Sequence, residues 1–242
     1  MPDHFFIGWS LHSFSLLRRR MLMVAALLLA TMTTLALALG ASIGDPGGGA
    51  FGNNGTVTGV VIAQPYPVLI TDPDAAHPLG HAMLLAGGGK IGVQSAAVPL
   101  DGQRVRIDGL VVKRGTLDML LVWNMQRTDG NATPPAREPF GRWRLTGEIC
   151  DGKCYSGVMR PGTGLAHKAC ANVCLMAGVP PVLVTTAPVA GSQFLLLADA
   201  SGHALPDALR DHVAILQRME GDVMRVADLL IFRTDIATAR EP

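Results

Sequence analysis

From Met21 to Ser42 the chain runs for 22 residues without a charge, MLMVAALLLATMTTLALALGAS, and no other feature restricts its folding so strongly. A helix rises 1.5 Å per residue, so a run of this length reaches across a hydrocarbon layer of about 30 Å. Arg18, Arg19 and Arg20 stand directly before it, and the first charge after it is Asp45. The positive-inside rule then keeps residues 1–20 in the cytoplasm and carries the rest of the chain across the inner membrane into the periplasm. Two fates of the segment stay open. As an uncleaved anchor, residues 21–42 make a single-pass membrane protein, which the length of the run favours. As a signal peptide, with Ala38 and Gly40 as the small-x-small cleavage pair, the segment is lost and the body is released into the periplasm.

The rest of the composition narrows the function classes. Twenty basic residues balance 19 acidic ones, so the basic stripe of a nucleic-acid binder is missing. Aromatic residues make up only 5%, too few for a base-stacking platform. A Gly-rich tether spans 43–54, and a second break, TDGNATPPAREPFG, spans 128–141. They delimit a first module at 55–127 and a second at 142–236.

Short apolar runs separated by Gly, Pro and Asp fill the first module: 56–62, 66–71, 81–86, 104–113 and 117–123. Such spacing predicts a small barrel or sandwich. The second module repeats the rhythm. Leu145-Thr146-Gly147-Glu148-Ile149 mirrors Val57-Thr58-Gly59-Val60-Val61, and the run through Gly221 loosely mirrors the run through Gly109. The expectation is a mostly β protein: an N-terminal transmembrane helix, then two small OB-like β-barrel modules, the second carrying a Cys/His-bearing helix.

All four cysteines, 150, 154, 170 and 174, fall within residues 147–181, with His167 between the pairs. Residues 165–177 read as a helix: Gly162 and Gly164 precede it, Thr163 is its prospective N-cap, and Gly178 followed by Pro180-Pro181 stops it. His167, Cys170 and Cys174 then stand at i, i+3 and i+7 and share one face, with Cys154 placed to close the set from the preceding turn. Three thiols and an imidazole suit zinc, iron or an iron–sulfur cluster, with Cys150 as a further prospective ligand. An even cysteine count outside the cytoplasm equally fits a disulfide framework without cofactor, stapling turn to helix. A redox-active thiol pair is a third reading, although C-x₃-C lacks the C-x-x-C geometry.

Other features carry less. His77 and His81 flank Pro78 and Gly80, so they read as loop histidines rather than a helical metal pair. No Ser-His-Asp order, phosphate-cradling loop or HExxH occurs, and C-x-x-C-H of covalent haem is missing. No enzyme is implied.

The run Gly147-Glu148-Ile149, Asp151, Lys153-Cys154, Gly157-Val158-Met159, Pro161-Gly162, His167-Lys168, Cys170-Ala171, Cys174, Gly178, Pro180-Pro181-Val182 resembles a segment of uncharacterised exported bacterial proteins. The resemblance implies an exported protein in which these residues act as a unit, and it implies no reaction. Cys150 falls outside the shared pattern. The sequence thus points to a membrane-anchored periplasmic accessory subunit holding a metal ion or cluster, serving electron transfer or assembly in a membrane redox or respiratory complex. The alternative is an interaction subunit with disulfide-stapled cysteines.

Overall fold

The computed structural model describes residues 15–43, 47–133 and 135–242. Most of the stretch expected in the cytoplasm, 1–14, lies outside the described residues, as do 44–46 of the tether and 134 of the linker. The chain divides into an N-terminal unit and a body that begins at Asp45.

The N-terminal unit is one helix, α1 (Ser15–Ile43). Its section Ser15–Gly40, within which an 18-residue stretch reaches mean hydropathy 2.3, is long and apolar enough to cross a membrane, a property that signal sequences share. Leu22, Leu29, Met32 and Leu37 are all exposed, so no face is reserved for a protein core. Two threonine hydroxyls find a partner inside the helix: Thr31 Oγ1 donates to Leu27 O at 2.8 Å and Thr34 Oγ1 to Ala30 O at 2.9 Å.

The body holds two five-stranded barrels. The first comprises β1 (Ala50–Ile62), β2 (Val68–Thr71), β3 (Ala82–Gly87), β4 (Arg104–Arg114) and β5 (Leu117–Arg127). Its strands close in the order β1-β2-β3-β5-β4, with β3 and β5 parallel and the other pairs antiparallel. The second repeats this with β6 (Arg137–Asp151), β7 (Pro181–Val189), β8 (Ser192–Ala198), β9 (Leu216–Val226) and β10 (Leu229–Thr234), where β8 and β10 are the parallel pair. This is the OB topology, used twice. β1 starts inside the Gly-rich run and β6 inside the Pro-rich one, because the ends of both strands pair with their neighbours β4 and β9.

The sequence repeat has a physical basis in glycine. A Cβ on Gly59 would lie 2.1 Å from Ile70 O, and one on the corresponding Gly147 would lie 2.5 Å from Val184 O. The second pair behaves alike: a Cβ on Gly109 would sit 2.4 Å from Leu121 O and one on Gly221 2.2 Å from Arg233 O. Each barrel therefore closes through two points where a neighbouring carbonyl takes the space of a side chain.

Burial explains why some strands alternate in sequence and others do not. β9 alternates exposed and buried along Leu216–Val223, as a strand with one wet face must. β3 is buried at every residue, and so are Phe194–Ala198 of β8 and Leu229–Phe232 of β10. Leu69, Met83, Leu85 and Leu120 fill the first barrel. Leu183, Leu195, Leu197, Leu230 and Phe232 fill the second. Their neighbours Val68, Ile70, Leu84, Met119, Val182, Phe194, Leu196 and Ile231 form a third apolar cluster between the barrels. The β2-β3-β5 face of one barrel thus packs on the equivalent β7-β8-β10 face of the other.

Candidate metal centre

Equivalent loops differ sharply between the barrels. β1 and β2 are joined by residues 63–67, β6 and β7 by residues 152–180, and this long connection carries the cysteine segment. It opens with a wide helical turn, Cys154–Val158, which Gly157 ends at φ 118°. It continues through a short 3₁₀ turn, Leu165–His167, into a helix, α2 (Lys168–Met176). Ala177 caps the helix and Gly178 follows at φ 85°, the left-handed position expected of it. The N-terminus departs from expectation. Thr163 makes no cap; Glu148 Oε1 accepts the Gly164 N–H at 2.5 Å, so the strand before the loop fixes the start of its helix.

Asp151, the last residue of β6, is the hub. Its side chain is fully buried; Oδ1 accepts the Cys154 N–H at 2.8 Å and Oδ2 lies 3.0 Å from His167 Nε2. Around it, ligand atoms of Cys154, His167 and Cys170 all lie within 4.8 Å of one another, and so do those of Asp151, Cys154 and Cys174. The two groups share Cys154. For comparison, bonds of about 2.3 Å from zinc to sulfur put tetrahedral ligand atoms about 3.8 Å apart. The structure therefore groups Cys154 with His167 and Cys170, and separately with Asp151 and Cys174, each a trio that could hold a metal ion, and no disulfide joins any of the four cysteines.

Cys150 stands apart. Strand alternation turns it to the seam between the barrels, where its Sγ lies 3.4 Å from Glu148 Oε1 and burial pushes its thiol well above the ordinary range. Among the described residues it belongs to no group that could hold a metal.

Electrostatics set two of the thiols apart. Cys154 donates its S–H to Cys174; that bond lowers the Cys174 thiol and raises Cys154, whose burial pushes it the same way. Two lysines approach from different directions. Lys90, on the β3–β4 connection of the first barrel, donates from Nζ to Cys170 Sγ at 2.9 Å, and this bond raises Lys90 above the usual lysine range. Lys153 is buried and its Nζ bridges the carbonyls of Gly87 and Gly89; burial pulls it below the usual range. Backbone contact completes the junction: Gly92 N–H donates to Ala177 O at 2.7 Å. A cavity of about 270 Å³, bordered by Trp123, Val158 and Met159, opens onto Cys154 and Cys174.

The donor set, thiol sulfur with imidazole and carboxylate, is one that could hold a metal ion. Sequence reasoning named Asp151 only as part of the shared segment and gave it no role at the site, and it passed over Lys90, which has no local signal because the other barrel supplies it.

Fold and site define a two-barrel β protein behind an apolar helix, with a buried Cys/His/Asp centre in the long loop of its second barrel. Comparison with protein-family models, with curated proteins and with solved structures gives no match to this chain.

Proposed function

We propose that this chain is a membrane-anchored, periplasm-facing accessory protein that binds zinc, iron or an iron–sulfur cluster through Cys154, His167, Cys170 and Cys174, and serves a membrane redox complex in electron transfer or its assembly. The observation that carries the metal reading is the pair of ligand groups pivoting on Cys154, contributed by a strand end, a turn and a helix. Asp151 supports it as the carboxylate that orients His167, the partner a metal-bound imidazole ordinarily has. Arg18–Arg20 before the apolar helix favour a cytoplasmic N-terminus and an exported body. The resemblance read along Gly147–Val182 implies the same location. The accessory role rests on the lack of a nucleophile–base pair in the sequence and on a cavity that leads to the thiols.

The test is metal and sulfide analysis with an absorption spectrum of the full-length chain in detergent, beside a free-thiol count. Thiolate-to-metal charge-transfer absorption that disappears in Cys154→Ser and in His167→Ala is the expected result. Metal-free protein with no titratable thiols would replace this reading with a disulfide staple and an interaction subunit.

A further inference from the structure

His77 and His81 belong to the HPLGH run of the β2–β3 connection, which sequence reasoning set aside because Pro78 and Gly80 preclude a helical pair. The loop achieves by folding back what a helix achieves by spacing. Gly80, at φ 83°, turns the chain, and the two imidazole rings lie 4.7 Å apart between centroids. Asp228, in the β9–β10 turn of the other barrel, reaches the same point: its Oδ2 lies 2.5 Å from His81 Nδ1. Ligand atoms of His77, His81 and Asp228 fall within 4.8 Å of one another.

His81 and Asp228 are each oriented by a further group, and Asp74 stands beside His77. His81 Nε2 lies 3.1 Å from Asp118 Oδ2, His77 Nδ1 lies 3.3 Å from Asp74 Oδ1, and Asp228 Oδ1 accepts the Ala82 N–H at 2.8 Å while its Oδ2 meets His81 Nδ1. A carboxylate behind a histidine and a backbone N–H behind a carboxylate are the supports that hold metal ligands in place. A cavity of about 250 Å³, edged by Thr116 and Ser192, borders His81 and Asp228 and gives room for a water in a remaining coordination position.

We propose that His77, His81 and Asp228 form a divalent-cation site, of the zinc and cobalt class, that bridges the two barrels and is separate from the thiol centre. Two imidazoles and a carboxylate select borderline cations over calcium or magnesium. Because ligands come from both barrels, cation binding fastens the seam at the end where β2, β3, β9 and β10 meet.

The experiment uses full-length chain in detergent with reductant, stripped with chelator and titrated with Co²⁺ by absorption and equilibrium dialysis. Cys154→Ser should retain about one equivalent of cobalt with N/O-type bands and no thiolate charge transfer. His77→Ala and Asp228→Asn, folded by circular dichroism, should each lose that equivalent and keep any thiolate band of the parent. Asp118→Asn should weaken it by about 10–100-fold. Unchanged N/O-type binding in His77→Ala, whose side chain is half-exposed, overturns the site even where Asp228→Asn fails to fold. A parent that binds cobalt at the seam without any thiolate band would keep this site and sink the thiol centre instead, so the two readings fail separately.

Discussion

Asp151 concentrates at one carboxylate the contacts that position two prospective ligands, the Cys154 backbone and the His167 ring. An amide in its place keeps the volume but replaces one acceptor oxygen with a donor. Asp151→Asn is therefore expected to weaken metal binding by about 10–100-fold, measured by competition with a chromophoric chelator. Cys150→Ala, by contrast, should leave metal content unchanged, because that thiol faces Glu148 and the seam. At this scale the sequence was partly legible. The i, i+3, i+7 spacing predicted His167, Cys170 and Cys174 on one helical face; the structure groups His167 and Cys170 with Cys154, and Cys174 separately with Asp151 and Cys154. Lys90 was not legible: it reaches Cys170 across 80 positions of sequence, and only the packing of the first barrel on the loop brings it there.

Strands and turns show where local rules suffice. The five strands of the first barrel fall close to the apolar runs in the sequence, since each is short and bounded by residues that cannot continue it. The repeated Thr-Gly motif marked a real equivalence, as Gly59 and Gly147 meet carbonyls at matching points of their barrels. Gly59→Ala and Gly147→Ala should each cost about 1–3 kcal/mol, read from chemical denaturation. Thr56 and Thr58, just before Gly59 on β1, hold carboxylates: Thr56 Oγ1 donates to Asp108 and Thr58 Oγ1 to Asp72, both at 2.6 Å. Asp72 feels burial that works to raise it, but hydrogen bonds from Thr58 and Arg104 outweigh this and hold it below the ordinary range; the bond from Thr56 does the same foremost for Asp108. A lowered folded pKa adds stability that is present above the unfolded value, near 3.8, and is lost as pH falls through the folded one. Acid unfolding of Thr58→Val should accordingly have its midpoint at higher pH than the parent, followed by far-UV circular dichroism. What the strand patterns could not convey was the starting point of β1 and β6, because glycine and proline runs read as breaks until a partner strand is known.

On the scale of the whole molecule, continuous apolar runs such as Met83–Ala86 and Leu195–Leu197 record a second burial, against the other barrel. One residue of each neighbouring pair serves its own barrel and the next serves the seam. Leu196, fully buried at the seam, should lose about 2–5 kcal/mol on replacement by Ala, and both barrels should still unfold in one calorimetric transition. Sequence alone announced two modules but not that they share a core, since no periodicity distinguishes a strand buried in one sheet from one buried between two. The same arrangement uses up the β2–β3 face that barrels of this topology commonly offer to ligands. What is left to differ between the copies is loop length, and here the covalent link between them matters. Two separate chains related by a twofold axis would display every insertion twice, at symmetry-related positions. A single chain escapes that duplication: one copy lengthens its first connection to 152–180 while the other keeps 63–67 short and lends Lys90 to its twin. Joining the barrels end to end thus permits an asymmetry that a homodimer forbids, one partner becoming the carrier and the other its wall.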